Sequence, residues 1–500
     1  GHVPAGQSLS FSGATAKLAV LATWPDGSAR HGIIAGTYTS AGSAVTVTPT
    51  VATVTAGTAL TGAAVQTAMG ANTAVFDAGA FGSAPFSGAD FASPFLTPAA
   101  TDTFIEAIYR KQIGSDAHLV AWLSLRVWSS GQVEALPWIE NGYLTVAGPT
   151  NKSATYSFTL GGASRFSAAI DIKHHTRVPL LTGSVFSYWL ATDPAVTFQH
   201  DAAYLKATKL VPNYGFGAPS TTALNALQQT YAPNDLAGVN PAMGAAGGSA
   251  ALISNPQAMY VASGGDSRAF KAAMVYGFSG GSWSVHYRDE TTNLPLDLVD
   301  YPGISLQGGT PSIPSPSGTT NGTASVTHQP SFGYLPYLLT GRYWFMEESQ
   351  FWCGYNFMSA DVESRRGRVA FGTGPYLFTT GAGGVIDPRA GTYANRGAHW
   401  SIRTLAQTLA ITPTSHANAA GYQSVWENNT NFYNAVFVTG THAPGWVSPQ
   451  GFLGDYSSSG DALYGQIGGV NAWFGAGWMS TFGVQAWAFA SNLGLTQSTD

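Results

Sequence analysis

The sequence predicts an α+β protein of more than one domain, with a β-barrel or sandwich over 1–215 and an (α/α) toroid over 216–500. Three observations lead there. Up to about residue 200, apolar residues alternate with a period of two in short runs bounded by Gly, Ser and Thr. Beyond about residue 260 the apolar spacing becomes that of helices. Those later segments are rich in Trp and Tyr and are joined by long loops, the pattern of helical hairpins set in a ring.

Taken in order, strands are expected at 17–23 and 31–37, on either side of the turn Pro25-Asp26-Gly27-Ser28. Further strands are expected at 45–51, 104–112, 118–128, 133–146, 154–160, 166–172 and 184–191, spaced as in a barrel or sandwich. The Ala/Thr/Gly-rich stretch 51–82 reads as an inserted loop or a sheet edge. Helical spacing starts at 204–210 and 221–231, and a Gly/Ala connector follows at 238–254. Helices are then expected at 267–278, 331–340, 342–359, 395–411, 417–436, 461–479 and 481–493. Between 300 and 327 the chain is rich in Pro, Gly, Ser and Thr, a long loop of the kind that is functional or mobile.

Composition narrows the function. The chain of 500 residues is 45% apolar but only 9% charged, against about 25% in a typical soluble domain. Ser, Thr, Gly, Asn and Gln must supply most of the polar surface, as on secreted or virion-exposed proteins. A net charge of −5 with no Lys/Arg-rich run sets nucleic-acid binding aside. The single cysteine, Cys353, allows no intrachain disulfide and no cysteine-based zinc cluster; within Gln350-Phe351-Trp352-Cys353 it reads as a buried helix thiol. From 462 to 499 there is no charged residue, yet Gln466, Asn471, Gln485, Asn492 and several glycines interrupt the stretch, so buried helices and no membrane span are expected. A start at Gly1 without Met or a signal pattern reads as a processed or trimmed chain.

The stretch WPDGSARHGIIAG, Trp24 to Gly36, resembles the signature of RIFT-barrel domains at the N-terminus of exo-acting rhamnogalacturonan lyases and their relatives. The stretches from His328 to Phe357 and from Asn395 to Pro413 resemble the helical-toroid half of such proteins, phage and bacterial members included. Together these motifs cover about sixty of the 500 residues. The resemblance implies a RIFT-barrel-like domain followed by an (α/α) toroid, and chemistry on a glycan. The chain departs from the lyases in lacking room for their further β domain after the toroid, and no catalytic residue of theirs is matched here.

A uronate lyase must neutralise a carboxylate, remove the C5 proton and protonate the leaving oxygen. One constellation suited to this is His328, Gln329, Tyr334, Tyr337 and Arg342. Tyr334 and Tyr337 share a helix face, Pro336 marks the start of that helix, and His328 and Gln329 lie on the entering loop. The alternative is that His328 caps the helix and the tyrosines pack in the core. A second constellation, Arg396, His399 and Arg403, forms one polar stripe opposite Ile402, Leu405 and Leu409. It reads as a grip for an acidic sugar or as an exposed helix face. A third is the helix 342–357, where Glu348, Trp352 and Asn356 lie four apart and suit sugar binding; its alternative is a core helix with an ion pair to Arg342 or Arg366. His328, Tyr334, Tyr337 and His399 are thus the expected catalytic groups. Gln329, Arg342, Glu348, Trp352, Asn356, Arg396 and Arg403 are the expected substrate ligands.

Weaker clusters are His174, His175 and Arg177, the run His286 to Glu290, and His200 with Asp201 and Tyr204. Adjacent histidines in a strand point to opposite faces, so no metal is expected. No Walker-type loop, dinucleotide fingerprint or GxSxG elbow is present, and no cofactor is expected. Three functions remain open: a polysaccharide lyase on an acidic glycan, a glycoside hydrolase pairing Glu347 or Glu348 with Asp289 or Glu290, and a non-catalytic glycan-binding or structural protein of a virion or cell surface. The partner in each case is a polysaccharide, with assembly into a virion or surface complex, and the location is extracellular or virion-associated.

Overall fold

The computed structural model describes residues 3–39, 42–214, 217–243, 251–368, 375–388, 390, 392–393, 396–438, 465–467, 470–472 and 477–495. It is a mixed α+β molecule, with antiparallel sheets in the N-terminal part and helices in the C-terminal part. Among the described residues no helix is long and apolar enough to cross a membrane.

A six-stranded antiparallel sheet forms the centre, in the order Thr176–Pro179, Val133–Asn141, Leu119–Trp128, Phe104–Gln112 and Leu96–Ala100, with Tyr188–Trp189 also pairing with Val133–Asn141. The run 104–141 is dense in Val, Ile, Leu and Trp, residues that fit a pleated, buried surface. Every residue of Val133–Asn141 is buried, so this sheet is covered on both faces.

One face meets a four-stranded sheet, Ala163–Ile172, Lys152–Leu160, Ala74–Asp77 and Ser83–Phe86. Aromatic rings join the two layers: Phe86 lies 6.4 Å from Tyr109 and Phe158 lies 6.0 Å from Tyr188. The stretch 51–82 is therefore no mere insertion. It holds the helix Gly62–Met69 and the strand Ala74–Asp77 of this sheet, which pairs with the edge strand that follows.

The other face meets the helices, and its side chains are polar as well as aromatic. Register fixes them. Trp138 stands opposite Trp122 with the rings stacked at 5.9 Å, and two residues further along the same face Glu140 stands opposite Arg177. At the other end of the sheet Arg126 stands between Glu106 and Glu134 on its two neighbours.

The helical part is built on Tyr343–Ser359, fifteen of whose seventeen residues are buried. A helix hydrophobic all round belongs in the middle of a core. Around it pack Ser267–Ser279, Tyr334–Thr340 and Arg396–Ile411, and Gly477–Asn492 packs in turn on Arg396–Ile411. The helix Ala419–Tyr433 packs on Arg396–Ile411. Tyr334–Thr340 starts two residues before Pro336, which sits within its first turn, where a missing N–H costs nothing. Several expected elements come out shorter. The strand expected over 184–191 is only Tyr188–Trp189, and the helix over 221–231 is only Thr221–Asn225. Part of the helix expected over 461–479 is a strand pair, Gly465–Ile467 with Val470–Ala472. The sequence places Gly468-Gly469 between these strands, and glycine disfavours a helix interior. The loop expected over 300–327 carries no helix or strand of its own.

Candidate functional site

Most of the expected site residues lie inside the protein. Glu347 and Glu348 are fully buried, and their partners are neither Arg342 nor Arg366. Arg177 donates from Nε to Glu140 at 2.9 Å, from Nη2 to Glu347 at 2.5 Å and from Nη1 to Glu348 at 3.3 Å. Arg288 donates to Glu347 at 2.7 Å and to Glu140 at 2.7 Å. Tyr343 and Trp138 add donors to Glu347 and Glu140, each at 2.9 Å. His286 Nε2 and Trp352 Nε1 lie 3.0 Å from the Glu348 carboxylate. The Arg177 guanidinium lies 3.9 Å from the Trp344 ring centre. Burial alone would push the Glu140 carboxyl up, but Arg288 and Arg177 outweigh it and hold it down at about 2. Arg342 pairs with Glu134 and Arg366 with Glu363.

Two clusters that looked weak in sequence, around His174–Arg177 and His286–Glu290, thus meet in one sealed network between sheet and long helix. Its Arg and Glu side chains are 0–6% exposed, and it holds the sheet to the helix. Asp289 accepts from Thr292 and Tyr301, and Glu290 from Thr145, so neither completes a carboxylate pair there.

The lyase constellation is also enclosed. Gln329 and Asn356 exchange amide hydrogen bonds at 2.7 and 3.1 Å. Arg403 donates to the Gln329 carbonyl at 3.1 Å and the Ala251 carbonyl at 2.5 Å. Gln329, Asn356 and Arg403 therefore do converge, but at 0–1% exposure. Arg403 has no carboxylate partner among the described residues; its donors cap loop carbonyls, and burial lowers its pKa. The Tyr334 hydroxyl donates to the Leu210 carbonyl at 2.8 Å, and Tyr337 packs on His31 with ring centres 5.4 Å apart. Burial drives both phenols far above their usual range. His399 is fully buried with both ring nitrogens unpartnered, and burial brings its pKa down to about 3. The stripe Arg396–His399–Arg403 is thus no exposed face. Only Arg396 is partly exposed. Of the two alternatives for this stripe, the exposed face does not hold, because Arg403 is spent on buried backbone carbonyls and His399 is buried.

His328 differs. It is 9% exposed, its Nδ1 lies 2.9 Å from the Thr327 hydroxyl, and that hydroxyl lies 2.7 Å from Ser325. It caps no helix. Desolvation, then the charge of Arg396, lowers its pKa, so the ring is neutral at physiological pH.

An open cavity of about 530 Å³ lies elsewhere, lined by Thr23, Trp24, Arg30, Gln423, Trp426 and Leu495 among others. Comparison with known proteins adds no name to it. No family model, curated protein or solved structure matches the chain. The cavity is built by three remote segments. The turn Trp24-Pro25-Asp26-Gly27-Ser28 is closed by the Gly27 N–H on the Trp24 carbonyl at 2.9 Å and by Asp26 accepting from Ser28. The helix Ala419–Tyr433 supplies Gln423 and Trp426, and Gly494 and Leu495 follow the helix Gly477–Asn492. Gly494 has φ +76°, and an added Cβ there would collide with the Trp24 indole. The Arg30 guanidinium lies 5.8 Å from the Trp24 ring centre. Sequence reading used this turn as a fold signal and did not mark Trp24, Arg30, Gln423 or Trp426 as a site. Nothing in a linear sequence joins positions 30, 426 and 494.

Proposed function

We propose that the protein binds an acidic glycan at an extracellular or virion surface and does not cleave it. The observation that carries this reading is the lining of the cavity: a guanidinium, an indole face, an amide and a hydroxyl, with no carboxylate and no imidazole among its described residues. Indole faces stack on the CH-rich faces of sugars, and amides and hydroxyls bond to their hydroxyl groups. Hydrolysis needs two carboxyl groups around the scissile bond, and the cavity lining has none. Tyr334, Tyr337 and His399, the expected proton carriers, are buried, which supports binding over cleavage. We take the architecture in the same sense, with the N-terminal sheets RIFT-barrel-like and the helices as an (α/α) toroid.

One observation favours a second reading, β-elimination: a neutral His328 on a hydroxyl chain, within the electrostatic reach of Arg396, combines a base with a cation for the substrate carboxylate. Incubation with a panel of polyuronates separates the two. Retention on the immobilised polyuronate with no rise in ultraviolet absorbance supports binding. Unsaturated products that disappear in His328→Ala would establish the lyase instead.

A further inference from the structure

We infer that the cavity beside the Trp24–Ser28 turn is a subsite for a carboxylate-bearing sugar, with Arg30 holding the carboxylate and Trp24 the ring. This rests on the glycan-binding reading above and gives it a place and a ligand chemistry.

The case begins with what the other arginines do. Arg126, Arg177, Arg268, Arg288, Arg342 and Arg366 each pair with a carboxylate. Arg110, Arg165, Arg365 and Arg403 instead donate to a hydroxyl or to carbonyls. Arg30 does neither: its Nε is enclosed without a partner, as in Arg110, Arg126, Arg165, Arg365 and Arg403, but unlike theirs its Nη groups also have no ion pair and no hydrogen bond among the described residues. In a chain with only 21 Lys and Arg side chains, a half-buried guanidinium left without an acceptor is a costly arrangement. It is the arrangement a carboxylate ligand completes, because the guanidinium fork matches two carboxylate oxygens.

The surroundings fit a sugar better than a bare anion. Trp24 is partly exposed and lines the cavity beside the guanidinium, where its indole offers a stacking surface. Gln423 donates its amide N–H to Glu427 at 2.7 Å, which leaves its carbonyl oxygen available to a hydroxyl. Thr23 is exposed at the rim and offers a hydroxyl. The volume of about 530 Å³ lies within the range of small-ligand sites. Gly494 sets the indole: any side chain there would displace Trp24, so it acts as a positioning residue for the stacking face.

The test compares an oligogalacturonate with its methyl ester of the same length, by calorimetry and by tryptophan fluorescence on the full chain. Inorganic sulfate serves as a competitor. The acid is expected to bind at least tenfold more tightly than the ester. Arg30→Gln is expected to erase that difference without lowering the thermal unfolding temperature, since the charge has no partner to lose and its desolvation cost goes with it. Gly494→Ala is expected to weaken acid and ester alike, because it moves the ring and leaves the cation. Equal binding of acid and ester by the wild type overturns the inference, as does an acid preference that survives Arg30→Gln; in both cases glycan binding itself stands. Sulfate competing as effectively as the oligouronate overturns the sugar half and leaves an anion site. If the wild type binds no polyuronate of the panel, the glycan-binding reading falls and this inference with it.

Discussion

Arg177 of the central sheet and Glu347 of the long helix are 170 residues apart in sequence and 2.5 Å apart in space, both with side chains sealed from solvent. This bond is the middle of a network of three carboxylates and two guanidinium groups that joins the sheet to the helices. It bears on stability, because a buried charge whose partner is removed keeps its desolvation cost.

Glu347→Gln and Arg177→Met are therefore each expected to destabilise the fold by about 3–5 kcal/mol. Denaturant unfolding checks this. A loss below about 1 kcal/mol, the scale of an exposed pair, would show that the network is not sealed as described.

The same network sets an acid limit. Glu140 has its folded pKa held at about 2, against 4.5 for the free group. A depressed carboxyl contributes stability that is fully present above the free value and is lost as pH falls towards the folded one. The expected outcome is a stability loss between about pH 4.5 and pH 2 that Glu140→Gln lacks, the variant being weaker at neutral pH. A Glu140→Gln stability curve parallel to wild type across that window would refute the assignment.

His399 acts in a neighbouring window, with the same direction for a different reason. Its folded pKa of about 3 lies below the ordinary 6.5, so the unfolded chain takes up the proton first. Stability then falls as pH drops from about 6.5 to 3. His399→Leu, which has no ring nitrogens to leave unpartnered, is expected to lose this part of the acid sensitivity. Its unfolding midpoint should gain on the wild type steadily as pH is lowered from 6.5 to 4. Unchanged pH dependence would mean that the ring reaches water.

Cys353 is 1% exposed, and burial pushes its thiol well above the usual range. A thiolate-dependent reagent should leave the folded protein untouched and label it only in denaturant. Labelling at native pH with retained structure would place the long helix at a surface.

Gly281 tests how tightly the sheet is docked. An added Cβ would collide with the Arg177 carbonyl oxygen and come within 3.0 Å of Trp344. A carbonyl in a ladder cannot yield as a side chain can, so Gly281→Ala is expected to cost about 1–3 kcal/mol, read from the unfolding midpoint. A neutral effect would mean that strand and helix are free to part.

Much of the fold was legible because it rests on local chemistry. The strand Phe104–Gln112 has the bounds its alternation predicts, and the helices Ser267–Ser279, Tyr343–Ser359 and Arg396–Ile411 fall within a residue or two of theirs. The buried cysteine was readable too, from the aromatic residues beside it in the chain. Shorter elements were less so. Tyr188–Trp189 and Thr221–Asn225 fall short of their patterns because their ends are set by what packs on them.

What the sequence by itself determined is where most of the longer strands and helices lie. Those positions follow from residue type and from spacings of two or of 3.6, which a linear chain displays. Only the tertiary structure decided which charges are exposed. Arg403 and Arg30 look alike in sequence, yet one is spent on the carbonyls of Gln329 and Ala251 while the other lines a cavity without an acceptor. The difference lies in neighbours at positions 251, 329, 426 and 494. The free energy of a guanidinium depends on the acceptors and the water that remain within a few ångströms once the chain has folded.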